Sequence, residues 1–335
     1  MSESEPIWIT EAEVVALMDL GQAIDALEAG LRLEAAGAAQ NMVKTHVLWG
    51  GGHTLHAIGA TFEGAGLVGT KTWCHTAGGA TPLLVLWEER SGRLKAVIEA
   101  FALGQMRTGS MTGVATRWLA DPGADELAQI GTGKQAITQV AAVAAVRPLK
   151  RVRVFSPSPD KRAAFAETLA GKGFDFELSV ADSVAACVEG APIVTLVTRA
   201  NAAFLTAAMV RRGAHVNAVG AITPEREEFD QAILARASHV AADSLAAVQK
   251  LSKEFMTYYD DGPGDWAAVR PIGSLVAEGW GRPSDVDLTL FKAMGMGVSD
   301  LALGSAIYQR ALEAGMGRPM PHPARVEPRL RPGAK

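Results

Sequence analysis

The sequence predicts an α/β protein in which a doubly wound parallel sheet is joined to an α+β unit with a mainly antiparallel sheet. Three observations predict it. Between residues 43 and 99, short apolar runs with a two-residue period are punctuated by glycine, as in half-buried antiparallel strands. From Glu126 to Val219, short apolar runs alternate with helical segments, which implies a parallel sheet covered on both faces. Between the two stretches stands Asp121-Pro122-Gly123, a chain-breaking turn suited to a domain boundary.

The 335 residues suit two domains of ordinary size. With 48% hydrophobic and 20% charged residues, a large core can form and wholesale disorder is excluded. Lys and Arg total 32 against 36 Asp and Glu, a net charge of −4, so no cationic excess exists to neutralise nucleic-acid phosphates. Two cysteines, Cys74 and Cys187, argue against a disulfide framework and a cysteine-ligated zinc site. The acidic start, Met1 to Pro6, lacks the regions of a signal peptide. Apolar runs such as Ile137–Val146 fall short of the ~20 residues that span a bilayer. A cytoplasmic protein with neither nucleic-acid nor membrane partners is expected.

Each element follows from local pattern. Residues 10–36 carry apolar residues at helical spacing, and Thr10 with Glu13 forms a capping-box signature. His53–Phe62, Leu67–His75 and Pro82–Glu88 read as strands, and Arg90-Ser91-Gly92 turns the chain into a return strand, Leu94–Glu99. A helix is expected over Arg107–Leu119. Then come a strand at Glu126–Ile130, a helix at Lys134–Val146 and a strand at Arg151–Phe155. A helix at Asp160–Ala170, a strand at Phe174–Val180, a short helix at Ser183–Glu189 and a strand at Ile193–Val197 continue the rhythm. Thr206–Arg211 reads as helical and His215–Val219 as a further strand. The stretch from Glu228 to Gly315 is largely helical by pattern, and the proline-rich tail from Arg318 reads as extended.

Gly131-Thr132-Gly133-Lys134-Gln135-Ala136 is a G-x-G-x-x-A loop between a predicted strand and a predicted helix. Its first glycine permits a tight turn, its second lets backbone approach a pyrophosphate, and Ala136 allows close helix–strand packing. The parallel unit is therefore Rossmann-type. At the end of the second strand, Phe155-Ser156-Pro157-Ser158 offers no carboxylate at position 156 for a ribose 2′-hydroxyl, while Lys161 and Arg162 follow. Ser156, Ser158, Lys161 and Arg162 suit a 2′-phosphate, so NADP(H) is favoured over NAD(H).

Three cations stand out upstream. Lys71 is flanked by apolar residues on a predicted strand, and Lys44 lies on a short strand before the first hairpin. Arg107 opens a predicted helix, with Thr108 as its cap, where a guanidinium suits bidentate binding of a carboxylate. For a strand lysine, a snorkelling surface residue is the plainer alternative. His53 and His56 lie three apart on a strand and so face opposite sides, which rejects a metal site there. Trp73 and His75 share the Lys71 face and are candidate lining residues, with Trp49 and Met106 as further candidates.

Lys71, Arg107-Thr108-Gly109-Ser110, Ile130-Gly131-Thr132-Gly133-Lys134-Gln135-Ala136, Val219-Gly220-Ala221-Ile222-Thr223-Pro224 with Glu228-Phe229-Asp230, and Leu290-Phe291-Lys292-Ala293-Met294-Gly295 with Asp300 occur in this order. Together they resemble the ornithine cyclodeaminase/μ-crystallin family. The resemblance, over about residues 10–317, implies a homodimer. It implies a substrate-binding and dimerisation domain at 1–120 completed by 302–335, and an NAD(P)-binding domain at 121–301. It also implies hydride exchange between nicotinamide and the carbon of a C–N bond beside a carboxylate, with an imino or amino acid as small-molecule partner. Lys71 and Arg107 match the family's carboxylate-binding lysine and arginine, and are the expected catalytic pair. Lys44 stands where the family usually has an arginine. Cofactor contacts are expected from Gly131 to Ala136, from Ser156, Ser158, Lys161 and Arg162, and from Thr198, Val219 and Gly220. Cyclodeaminases carry an aspartate where this chain has Ile222, which can neither move a proton nor bind an ammonium. An NADPH-dependent reductase of a 2-imino acid or cyclic ketimine is expected. An ornithine-type cyclodeaminase and a non-catalytic NADPH-binding protein of the μ-crystallin kind stay open as alternatives.

Overall fold

The computed structural model describes residues 5–331. Thr10 starts the helix Glu11–Leu17 with a capping box, and Asp19 with Gln22 forms a second box that starts Leu20–Ala35. The helical stretch 10–36 is thus two helices, because Asp19 offers its side chain to the N-terminal amides of the next one.

Among the described residues two sheets form. The first runs in the order Arg318–Pro319, Ile7–Ile9, Leu94–Glu99, Leu83–Glu88, Leu67–Thr76, His53–Phe62 and Ala39–Asn41. Its pairings are antiparallel except that of Ile7–Ile9 with Leu94–Glu99. Thr45–Trp49 pairs with the first half of His53–Phe62. Lys44 precedes that strand and lies in the connection from Ala39–Asn41, not on a strand as expected.

The second sheet is parallel throughout. Glu126–Ile130 has Arg151–Phe155 on one side, with Glu177–Val180 beyond it. On its other side lie Ile193–Leu196, Ala214–Ala218, Leu288–Lys292, Ala237–Ala242 and Val269–Pro271, in that order. The last three strands correct the expectation of a largely helical stretch after Glu228. Leu288–Lys292 is buried at every position, and Ala237–Ala242 is rich in alanine. Neither shows the two-residue alternation that marks a half-exposed strand. Thr206–Arg211 is likewise only a single 3₁₀ turn at Ala207–Met209.

Arg107 does not open a helix. The helix runs Phe101–Leu119, which puts Arg107 in its second turn, and Thr108 bonds back to the Gly104 carbonyl instead of capping. The far end of this helix is clamped from the second unit. Arg147 donates to the carbonyls of Thr116 (2.6 Å), Ala120 (2.8 Å) and Arg117 (3.1 Å), and Arg282 donates to Leu119. Helix C-terminal carbonyls lack intrahelical partners, and cations there also oppose the helix dipole.

The helix Gly297–Ala314 returns the chain to the first unit, packing on Leu20–Ala35 and on His53–Phe62. Gly297 makes the approach possible, because any Cβ there would collide with the Gly59 carbonyl. This contact sets Asp300, one turn on, beside the strand that carries Lys71.

Candidate active site

The first strand of the parallel sheet has neighbours wound in opposite directions. The carboxyl ends of Glu126–Ile130 and Ile193–Leu196 therefore flank a crevice, the usual ligand position in such sheets. A cavity of about 650 Å³ opens there. One end is formed by the glycine loop, Ser156 and Lys161, the other by Lys44, Ile58, Trp73, Arg107 and Met111. A second cavity of about 590 Å³ continues past Ser156 between Phe155, Pro157, Val184 and Phe204.

The residues present fit a dinucleotide. Gly131 has φ of +110°, and a Cβ on it would lie 2.5 Å from the Val197 carbonyl oxygen. Only glycine makes this turn without strain. A Cβ on Gly133 would meet nothing within 4 Å, so that backbone is open to a pyrophosphate at the start of the helix Ala136–Ala144. Thr132 and Ser156 bridge the loop to the second strand by a 3.0 Å hydroxyl contact.

Opposite the loop, Glu228 ties two segments together. Its buried carboxylate accepts from Thr198 N (2.7 Å), Thr198 Oγ1 (2.8 Å), Gly220 N (2.8 Å) and Ala221 N (3.1 Å). Burial pushes its pKa up, against the pull of Lys292 and these donors. Lys292 itself is fully buried and pairs with Glu254 at 3.1 Å, and Glu254 accepts from Glu228 N at 3.0 Å. The network fixes the backbone of Thr198 and Gly220 on either side of the crevice.

At the other end Lys71, 3% exposed, forms an ion pair with Asp300. Arg107 Nε lies 3.4 Å from the same Asp300 oxygen, and the second oxygen, Oδ2, is buried without a hydrogen-bond partner. Burial pulls the Lys71 pKa down to about 8, with Asp300 resisting and Arg107 assisting. Burial also lowers that of Lys44, helped by the charge of Arg107. The Nζ atoms of Lys71 and Lys44 lie 5.2 and 6.0 Å from the Trp73 ring centre. His56 stacks on Trp73 at 4.6 Å and is driven down to about 4 by burial and Lys44, so it is neutral near pH 7. Asp243 accepts from Met294 N (2.8 Å) and Gly295 N (2.7 Å), and Gly295 leaves room for Arg107, since a Cβ there would lie 3.0 Å from Nη1.

The cavity brings together Lys44, Trp73 and Arg107 with Gly131, Thr132, Gly133, Lys134 and Gln135. Ser156, Lys161, Thr198, Val219 and Gly220 also line it. Lys71 sits behind its wall, and Ala136 is buried at the head of its helix. Three predicted residues stand elsewhere. His75 is exposed, because its strand runs past the cavity. Ser158 is occupied as the cap of Pro159–Ala170, accepting from Lys161 N. Arg162 turns inward: it donates to the Ser156 carbonyl at 2.8 Å, lies over Phe155 and pairs with Asp182 at 3.8 Å. Trp49 is on the exposed strand Thr45–Trp49, and Met106 packs on the core.

Sequence reasoning gave no role to Asp300, Asp243, Met111, Arg199 or Arg226, and the structure places all of them in or against the cavity. Arg199 directly follows Thr198 at a strand's carboxyl end, a position that the ligand rule for parallel sheets points to. Among the described residues no three His, Cys, Asp or Glu side chains gather to hold a metal ion.

The fold and this site define a nicotinamide-dependent oxidoreductase acting on CH–NH or C=N bonds. The chain belongs to the Ornithine cyclodeaminase/mu-crystallin family, whose sequence profile matches residues 5–315. It is 31% identical over 237 residues to a Delta(1)-pyrroline-2-carboxylate reductase of Bacillus cereus, covering 70% of this chain and 72% of that protein. It is 27% identical over 323 residues to the iminosuccinate reductase of Paracoccus denitrificans, covering 92% and 98%. Among solved structures, an archaeal alanine dehydrogenase dimer with bound NAD superposes with a TM-score of 0.85 at 26% identity, covering 94% of this chain and 99% of that one.

Proposed function

We propose that this protein is an NADPH-dependent reductase of a C=N bond next to a carboxylate, taking a 2-imino acid or cyclic ketimine to an amino acid. The observation that carries the reading is the pair Lys44 and Arg107 on the cavity wall, with Lys71 just behind it on the same Asp300 oxygen that Arg107 approaches. The reduced nicotinamide supplies the hydride when bound, with the glycine loop, Thr198 and Gly220 as its backbone contacts.

The remaining chemistry falls to side chains. Arg107, free at Nη1 and Nη2 while Nε faces Asp300, presents a fork to the substrate carboxylate, and Lys44 adds a point charge. Lys71 Nζ holds the proton that the substrate nitrogen takes up, and its depressed pKa makes it a competent donor near neutral pH. Asp300 keeps Lys71 charged and oriented. Ile58, Trp73, Met111 and Ile222 give the substrate an apolar wall, which suits a ring or aliphatic body better than a second charged group. Ile222 lines the cavity where a cyclodeaminase has an aspartate, so ring closure with loss of ammonia lacks its acid–base group. The names of the two reductase relatives support C=N reduction.

The cofactor preference rests on Ser156 and Lys161 and on the lack of a carboxylate at position 156. The assembly is a homodimer in this reading, with residues 1–120 and 302–335 as the substrate and dimer unit and 121–301 as the nucleotide unit. Val47 and Leu55, paired across one hairpin, are 62% and 49% exposed, an apolar surface that a second copy would cover.

The test is oxidation of NADPH and of NADH by purified protein. The panel holds five- and six-membered cyclic imine carboxylates, and pyruvate, glyoxylate or oxaloacetate with ammonia or methylamine. Turnover with any of these, faster with NADPH, is the expected result. No turnover, with ornithine consumed and ammonia released, would replace the reading with a cyclodeaminase.

A further inference from the structure

Arg199 stands apart from the other cations of the site. It lines both cavities, the one that holds the glycine loop and the apolar one beyond Ser156. It is exposed, and its guanidinium has no hydrogen-bond or ion-pair partner among the described residues. Ser156 and Lys161, from the end of the second strand and the helix after it, line the first cavity with it, and Ser156 lines the second as well. Lys161 is also exposed and its ammonium unpartnered. The apolar slot between Phe155, Pro157 and Phe204 has the lining of a purine site, and Ser156 and Arg199 stand where it joins the first cavity, which Lys161 lines.

The backbone under Arg199 is held on both sides. Glu228 accepts from Thr198 N at 2.7 Å, and Ala200 O accepts from Glu227 N at 3.1 Å. No carboxylate lines this part of either cavity; Asp243, the one acidic lining residue, is engaged by the amides of Met294 and Gly295. Arg162, the cation that sequence places nearest the ribose, is already spent on Ser156 O, Phe155 and Asp182.

From this geometry we infer that Arg199 is the cofactor-specificity residue of the site: it closes over the adenosine ribose and, with Lys161 and Ser156, binds a 2′-phosphate monoester. The inference rests on the reading of NADP(H) as cofactor and adds the residue that enforces it. A guanidinium matches the oxygens of a phosphate with paired N–H donors, whereas a ribose 2′-hydroxyl offers it no negative charge.

The test measures dissociation constants in the binary complex by quenching of tryptophan fluorescence, so it does not depend on the imine substrate. The probes are NADPH, NADH, 2′,5′-ADP and 5′-ADP, each with wild type, Arg199→Gln and Arg199→Lys. Wild type should bind NADPH and 2′,5′-ADP more tightly than their partners without the 2′-phosphate. Arg199→Gln should weaken those two by about tenfold, as for loss of a charge-assisted hydrogen bond at an exposed site, and leave NADH and 5′-ADP within about twofold. Arg199→Lys should fall between. Equal weakening of all four probes would put Arg199 on the pyrophosphate or the base and overturn the inference. So would an NADPH preference that survives Arg199→Gln. A wild type that binds NADH as tightly as NADPH would overturn the cofactor reading itself, and the inference with it. Arg199 is exposed and makes no internal bond, so its variants should keep the wild-type circular dichroism and melting curve.

Discussion

Lys71 and Asp300 lie 229 positions apart in the chain and form an ion pair inside the protein. Their proximity sets the pH behaviour of the site. With its pKa lowered to about 8 by burial, Lys71 is mostly protonated at pH 7 and loses its proton as pH rises through 8. For reduction, kcat/KM should therefore fall above about pH 8, the limb belonging to the free enzyme. Lys71→Arg, which stays charged, should lower the rate and abolish that limb; a pH–rate profile unchanged by the substitution would remove Lys71 from proton transfer. Arg107→Ala should cost kcat/KM about 2–5 kcal/mol, the range for truncating one side of a desolvated charge contact. NADPH affinity should stay near wild type, as fluorescence titration would show. Lys71 and Arg107 were legible in the sequence as cations in apolar surroundings. Asp300 was legible only as part of a family-like motif, with no role, and Asp243 not at all, because an acid at a helix start or after a strand looks like an ordinary solvated residue until the fold buries it.

At the scale of elements, the glycine loop makes two different demands. Gly131 turns with positive φ against Val197, so Gly131→Ala should lower stability, seen as a lower melting temperature with or without cofactor. Gly133 faces open space, so Gly133→Ala should fold normally yet bind NADPH and NADH more weakly by titration. The helix Phe101–Leu119 makes a further demand at its other end. Arg147→Met would leave the carbonyls of Arg117 and Ala120 without their donor inside the protein, while Thr116 keeps the Ala120 amide. A loss of about 2–4 kcal/mol is expected in a urea melt, since each buried unpaired group costs ~1–3 kcal/mol. The strands around the loop were read from sequence because each pairs a short apolar run with a turn signal. The strand Leu288–Lys292 escaped because it ends in a lysine, a charge made tolerable by Glu254, buried beside it, and by the nearby Glu228. The start of the Arg107 helix escaped too, since Ala100 caps it with no side-chain bond to announce it.

At the scale of the whole molecule, the exposed apolar hairpin bears on assembly. Val47 and Leu55, on one face of it, present more apolar surface than a lone strand pair in water would keep. Val47→Asp should convert a dimer, measured by light scattering at micromolar protein, into a monomer that keeps its circular dichroism; a wild-type monomer would sink the dimer reading. The helix Gly297–Ala314 crosses back onto the first unit and carries Asp300 with it. The active-site charge arrangement is therefore a property of how the two units are joined.

The sequence by itself determined the elements whose information is local. The Thr10–Glu13 capping box, the antiparallel strands with their glycine turns, the G-x-G-x-x-A loop and the absence of an acid at position 156 all follow from spacing, because each depends on residues a few positions apart. Ile222 in place of an acid was legible only through the resemblance to the family's motif. Tertiary structure alone decided which charges meet. It turned Arg162 inward onto Ser156, left Arg199 without a partner among the described residues in the cavity that Lys161 also lines, moved His75 out of the cavity and brought Asp300 to Lys71. These outcomes turn on burial and long-range contact, and burial is what separates a solvated charge from a working one.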